Sequence, residues 1–370
     1  MLLTDPRLLY ASIFTFILFT IFAITFWSRL SKPTFINYLA RTLLILTSNI
    51  LVLAIAAFSV NNYGNFYISF DDLLGHQSIA VEQSNKIPTF GISLDDLRNA
   101  EFNLDGSAVI KRTIVGKDSG IKSEVYLGLP RSYVQALRTH VMPSKNYRVI
   151  EFLPGYPGHP LAWIHGIRVM REIESQVGQG KLPEFIAVFP PINISANFDA
   201  ECMDFTSGPK IETWLSKDVV TFVNQYLNLT ASTWGISGYS TGGWCATMLA
   251  IKHREQYSMV GSIAAYYNPA LSRKISKYER DRQRLEYNLD NYLQDERPVD
   301  FFIVDSVDDS ESHPSTKKFI EKITGKFDLT TVKLRNSGHN LEAWKKVIPT
   351  MLRWFGTKIH PRHSSTLVGS

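Results

Sequence analysis

Ser240 lies in Gly238-Tyr239-Ser240-Thr241-Gly242, the G-x-S-x-G spacing that presents a hydroxyl on a sharp turn between a strand and a helix. Such a turn brings backbone segments so close that the flanking positions have no room for a Cβ. A serine hydroxyl is a poor nucleophile until a positioned base takes its proton and an acid orients that base. Of the 9 histidines, His339 has the position for the base. It follows the last strand candidate, in a loop of Ser337, Gly338 and Asn340 ahead of the last helix. His159, in a Pro/Gly loop, is the next candidate, but it precedes the serine. The acid is expected in the loop between Ser240 and His339, where Asp305, Asp308, Asp309 and Glu311 cluster. A position a few residues past the strand selects Asp309, with Asp308 in reserve. Each feature has an ordinary alternative: a glycine-rich turn, a solvated loop histidine, a solvated acidic turn.

The order Ser240, Asp309, His339 is that of an α/β-hydrolase. Acyl transfer also needs two N–H donors for the tetrahedral oxyanion. Thr241, directly after the serine, supplies one. The loop Pro154-Gly155-Tyr156-Pro157-Gly158-His159-Pro160 should supply the other. Prolines have no N–H to give, so Tyr156 is the best-placed donor. Nothing in this chemistry calls for a metal or cofactor.

The elements that must position these groups are set by hydrophobic spacing. Strand patterns occur at 109–115, 123–129, 148–153, 183–189, 232–236, 259–265, 299–304 and 329–334, with turn chemistry at 117–120. Helical spacing occurs at 163–173, 211–227, 315–323 and 341–355, and in Trp244, Thr247, Met248 and Ile251 behind the serine. Strands alternating with helices predict a mostly parallel sheet covered on both faces. The highly charged stretch 273–296 reads as a surface excursion or lid-like insertion.

The amino terminus is of another kind. Residues 8–27 and 43–60 are charge-free apolar runs long enough to cross a bilayer as helices. Arg29, Lys32 and Arg41 lie between them, which puts that loop in the cytoplasm and everything after Asn61 outside. A buried core helix or a cleaved signal are the alternatives, and no small-x-small site ends the first run. The expected organisation is a two-span anchor at 1–62, a polar juxtamembrane connector at 63–104, a catalytic domain at 105–356 and a loose tail at 357–370. Cys202 and Cys245 are the 2 cysteines. In an oxidising compartment such a pair is more often bridged than not, the alternative being two separate buried thiols. A net charge of +5 without an interleaved aromatic–basic patch leaves nucleic acid an unlikely partner. Two spans cannot account for the large remainder as a transporter.

From about residue 105 to 355 the chain resembles the esterase family that groups esterase D with antigen 85-type mycolyltransferases. The resemblance rests on Phe152-Leu-Pro-Gly-Tyr-Pro-Gly158, Asp199-Ala-Glu-Cys-Met-Asp204, Trp214-Leu-Ser-Lys-Asp-Val219, Gly238-Tyr-Ser-Thr-Gly-Gly-Trp-Cys-Ala246 and Gly338-His-Asn-Leu-Glu-Ala-Trp344. The amino-terminal spans, with Asn61-Asn-Tyr-Gly64 and Asp71-Asp-Leu-Leu-Gly75, look like membrane-anchored actinobacterial members. The resemblance implies an α/β-hydrolase fold, nucleophile Ser240, base His339, an acid from the Asp308/Asp309 loop, and a link between Cys202 and Cys245. Pro154 departs from the histidine that many hydrolases carry there. Three functions are in play: an extracytoplasmic esterase acting on ester or acyl-lipid substrates, a cell-envelope acyltransferase with a sugar acceptor, and a catalytically silent scaffold.

Overall fold

The computed structural model describes residues 3, 5–64, 91–194, 199–231, 233–271, 275–295 and 297–359. Two compact units divide the chain, Met1–Val81 and Glu82–Ser370.

The first unit is a helical hairpin of α1 (Pro6–Trp27) and α2 (Phe35–Gly64). The Asp5 carboxylate accepts the Arg7 N–H at 2.9 Å and starts α1. Asn61 Nδ2 donates to the Leu3 carbonyl at 3.4 Å, so the far ends of the hairpin meet. The Arg41 guanidinium lies 5.0 Å over the Trp27 ring at the turn. The second helix begins earlier than the apolar run does, because residues 35–42 continue the helical pattern into polar sequence. Large apolar side chains stand exposed along both helices, Ile24 at 69% and Phe35 at 82%. No residue of the most apolar window of either helix is buried, and each helix is long and apolar enough to cross a membrane.

The second unit is built on a 9-stranded sheet in the order β1-β2-β3-β5-β4-β6-β7-β8-β9. The strands are β1 (Glu101–Phe102), β2 (Ala108–Val115), β3 (Lys122–Leu129), β4 (Arg148–Leu153), β5 (Phe185–Phe189), β6 (Trp234–Tyr239), β7 (Tyr257–Ile263), β8 (Asp300–Ser306) and β9 (Leu329–Leu334). β1, β2, β3 and β5 pair antiparallel, and the rest of the sheet from β5 to β9 is parallel. The helices are α3 (Arg131–Arg138), α4 (Val169–Gly178), α5 (Val220–Tyr226), α6 (Thr241–Lys252), α7 (Lys277–Glu286), α8 (His313–Ile323), α9 (Leu341–Lys345) and α10 (Ile348–Ile359). Side chains alternate between two cores. Val149, Leu153, Ile236 and Phe301 pack on one face of the sheet, and Ile150, Phe152, Phe302 and Phe355 on the other. Burying one such phenylalanine contributes roughly 2 kcal/mol.

Three expectations change. Glu101–Phe102 pairs with β2, and Ile92 N–H donates to the Tyr226 carbonyl at 3.1 Å, so the sheet takes in the end of the expected 63–104 connector. A two-residue strand is too short to show alternation. Residues 65–90 of that connector lie outside the described residues. At the other end α10 continues to Ile359, and the rest of the 357–370 tail is outside the described residues.

The third change concerns the charged excursion, which is anchored along its described part rather than standing free as a lid. Gln283 Nε2 and Arg282 Nη2 donate to the Asp204 carbonyl at 2.7 and 2.8 Å. The Tyr287 hydroxyl donates to Glu212, which also takes Lys252 Nζ at 2.9 Å and contacts His253 Nε2 at 2.8 Å. Burial alone would raise the Glu212 carboxyl, but these partners hold it down at about 2. The anchoring was not legible because it runs through Asp204 and Glu212, far away in sequence, while the charges of the stretch pair locally, Arg282 with Glu279 and Glu286.

Candidate active site

Ser240 follows the central strand β6, and α6 begins at the next residue. Its backbone sits at φ 54° and ψ −127°, a region that side chains rarely adopt, held by a 2.9 Å bond from its N–H to the Ile263 carbonyl. The glycines around it answer to sterics. A Cβ on Gly238 would stand 2.0 Å from the Gly242 carbonyl oxygen, and one on Gly242 would stand 2.3 Å from that of Pro154. The chain can turn this tightly only with hydrogen at both places, and the turn holds the hydroxyl at the carboxyl end of the sheet.

His339 stands on the loop between β9 and α9. Asn340 closes that loop by capping α9, its side chain accepting the Ala343 N–H at 2.9 Å. Trp344, on α9, sets its ring at 87° to the imidazole with centroids 4.8 Å apart. His339 Nε2 lies 2.8 Å from Ser240 Oγ, and its Nδ1 lies 2.6 Å from Asp309 Oδ2.

Asp309 is 3% exposed, on the loop after β8. Its carboxylate also accepts the Glu311 N–H at 3.0 Å and the Ser312 hydroxyl at 2.7 Å. Burial alone would raise this carboxyl, but Ser312 and His339 outweigh it and hold it below the usual carboxylate range. Asp308 turns the other way and accepts the Asn336 N–H at 2.6 Å, bracing the histidine loop without touching the imidazole. Asp305 pairs with His313 Nδ1 at 2.7 Å. The acidic cluster thus divides its work among three separate partners.

The loop after β4 packs against the serine: a Cβ on Gly155 would stand 3.2 Å from Ser240 Cβ. The Tyr239 ring packs against the same glycine, whose Cβ would stand 3.1 Å from its Cε2. Asn193 Nδ2 pins the loop from outside, donating to the carbonyls of Gly155 at 3.2 Å and Gly158 at 2.5 Å. Tyr156 follows in this loop, 37% exposed. Thr241 is the first residue of α6, so its N–H has no acceptor within the helix. His159 is engaged within its own loop, its Nδ1 accepting the Leu161 N–H at 3.2 Å. Cys202 and Cys245 form a disulfide that ties the loop before Met203 to α6. Among the described residues no cluster of histidine, cysteine and carboxylate side chains could hold a metal ion.

Asn193, Tyr239 and Ser312 are supports that the sequence did not reveal. Tyr239 was visible only as the variable letter of the motif, and Asn193 only as a residue shortly after the strand pattern at 183–189.

A serine, an imidazole and a buried carboxylate in hydrogen-bond series at the carboxyl end of a mostly parallel sheet define an α/β-hydrolase of the serine type. The chain belongs to the Esterase family, described as "Putative esterase", whose model matches residues 118–355. Among solved structures it is similar to a ferulic acid esterase, 22% identical with a TM-score of 0.58, covering 69% of this chain and 99% of that one. An S-formylglutathione hydrolase from Agrobacterium tumefaciens is 15% identical with a TM-score of 0.56, covering 71% and 99%. MPT51 of Mycobacterium tuberculosis is 12% identical with a TM-score of 0.51, covering 67% and 98%. At these identities the likeness is one of fold. A curated Corynebacterium glutamicum sequence described as an uncharacterized protein is 29% identical over 133 residues, 35% of this chain. The match spans 30% of that relative's length.

Proposed function

We propose that this chain is a membrane-anchored serine esterase whose catalytic unit faces the extracytoplasmic side, cleaving carboxylic esters through an acyl-enzyme. The observation that carries the catalytic part is the 2.8 Å contact of His339 Nε2 with Ser240 Oγ, with Asp309 2.6 Å behind the other ring nitrogen. His339 takes the Ser240 proton as Oγ bonds to the ester carbonyl carbon, and the carbonyl electron pair moves onto oxygen. The N–H groups of Thr241 and Tyr156 are the donors assigned to that oxyanion. Its collapse breaks the bond to the alcohol, which leaves with the proton from Nε2. Water then gives a proton to His339, attacks the acyl carbon and releases the acid, and the proton returns to Ser240. Asp309 accepts the Nδ1–H throughout, which fixes the tautomer and stabilises the imidazolium.

The anchor rests on the exposed apolar faces of α1 and α2, and the orientation on Arg29, Lys32 and Arg41 between the two apolar runs. The disulfide fits an oxidising compartment. Fluorophosphonate labelling of the full chain in detergent tests the chemistry, with p-nitrophenyl esters of several chain lengths alongside. Label on Ser240, lost in Ser240→Ala and reduced at least 100-fold in rate in His339→Ala, is the expected result. A folded protein that takes no label would overturn the reading. Adding a sugar alcohol separates hydrolysis from transfer, since a transferase returns the acyl group on the sugar instead of as free acid.

A further inference from the structure

Tyr266, on the loop after β7, places its hydroxyl 2.7 Å from Glu201 Oε2 and 3.1 Å from Thr241 Oγ1. A phenol has one proton. Given to Glu201, that proton leaves the Thr241 hydroxyl to donate into the phenol oxygen, so the three groups form a directed chain ending on the residue next to the nucleophile. Glu201 is 3% exposed. Among the described residues the groups that act on its carboxyl are Asp199, Tyr266 and the Ala270 N–H, and burial with the Asp199 charge pushes it up to about 8. A carboxyl kept in such surroundings is costly unless its hydrogen bonds matter.

Two further links close the arrangement into a ring. Trp244 Nε1, on α6, donates to the Glu201 carbonyl at 3.0 Å, and the Trp244 and Tyr266 rings stack at 18°. The Cys202–Cys245 disulfide then joins the residue after Glu201 to the same helix. Glu201 and Cys202 both have positive φ, 51° and 57°, a conformation that the surrounding links must hold. Starting at Thr241, the path runs through Tyr266, Glu201, Cys202 and Cys245 and returns along α6 to Thr241.

We propose that Tyr266 and Glu201 are positioning residues for acyl transfer: Glu201, stapled to α6 by the disulfide, aims the Tyr266 hydroxyl at Thr241 and so fixes the N–H that faces the oxyanion. This rests on the reading of Ser240 and Thr241 given above. Neither side chain takes a proton in the reaction, so their loss lowers the rate of the bond-making step and leaves ground-state binding alone.

The experiment is steady-state hydrolysis of a p-nitrophenyl ester by the full chain, with inhibition by a phenylboronic acid, whose tetrahedral adduct fills the oxyanion position. Tyr266→Phe is expected to lower kcat about 10-fold with KM within twofold, and to weaken boronate inhibition by a similar factor, a fraction of what losing an oxyanion donor outright costs. Thr241→Val should give the same loss, and the double variant no more than either alone. Glu201→Gln keeps an acceptor oxygen for Tyr266 and should stay within threefold of wild type, while Glu201→Ala falls to the level of Tyr266→Phe. Unchanged kcat and boronate inhibition in Tyr266→Phe, with Ser240→Ala inactive, would overturn the proposal. Activity surviving in Ser240→Ala would instead overturn the reading beneath it.

Discussion

Two histidine–aspartate pairs stand side by side at the end of β8, and they are nearly copies of one another. Asp305 meets His313 Nδ1 at 2.7 Å, and Asp309 meets His339 Nδ1 at 2.6 Å. Both carboxylates are buried, with side chains 4% and 2% exposed, and the imidazoles match at 29% and 25%. The difference lies on the far side of each ring. Ser240 Oγ sits 2.8 Å from His339 Nε2, whereas among the described residues His313 Nε2 has no hydrogen-bond partner. A buried acid behind an imidazole is therefore not in itself a catalytic feature, because the same geometry also pins a helix start. His313 opens α8 and donates its own N–H to the Asp309 carbonyl at 3.0 Å, so one pair braces the loop that carries the other.

The largest expected effect is on the atom that separates the pairs. Ser240→Ala should lose about six orders of magnitude in kcat with folding intact, measured by ester hydrolysis and thermal unfolding. Next comes the base: His339→Ala should lose about as much, while His313→Ala stays within threefold. Equal losses in the two histidine variants would break the comparison. Third are the acids. Asp309→Asn should cost about 10²- to 10⁴-fold in kcat by disturbing the tautomer. Asp305→Asn should act on stability alone, on the order of 1 kcal/mol. Asp309 has a folded-state pKa below its ordinary value, so its contribution to stability is present above that ordinary value and is lost as the pH falls through the depressed one. Acid titration of unfolding in wild type and Asp309→Asn should converge at low pH.

The smallest effect concerns a third buried carboxylate that has no histidine. Glu151 in β4 is fully buried, with the Tyr257 hydroxyl at 2.7 Å on one oxygen and, among the described residues, no hydrogen-bond partner on the other. Burial pushes its carboxyl from 4.5 up to about 8, against the pull of Tyr257. The unfolded chain ionises first, so this group costs stability progressively as pH rises from the lower value to the higher. Glu151→Gln should raise the melting temperature by a few degrees at pH 8 and leave it unchanged near pH 4. A uniform shift at both pH values would show that packing, not ionisation, governs the site.

Much of the site was legible because its parts are local. Gly238 is demanded by a contact with Gly242, four residues on, while Gly242 answers to the distant Pro154 carbonyl and is legible only as the last letter of the motif; His339 is announced by the loop formers around it. The parallel strands from 148 to 306 were visible as apolar runs, since a strand covered on both faces has no polar side to hide it, while the edge strand at 329–334 showed as alternation. The acid could be narrowed to a cluster but not resolved by pattern, because what distinguishes Asp308 from Asp309 is the direction each side chain takes: one to the Asn336 N–H, the other to the imidazole. Supports such as Asn193, Glu201 and Tyr266 were illegible. Each meets the site across 25 or more residues of chain, and no spacing rule encodes such a meeting.

The backbone of Ser240 has a consequence beyond chemistry. Its positive φ, within a turn that admits no Cβ on either flank, is a conformation that only glycine holds without strain, typically 1–3 kcal/mol. Glycine would hold this position with less strain but carries no hydroxyl, so backbone relaxation and the proposed nucleophile pull in opposite directions.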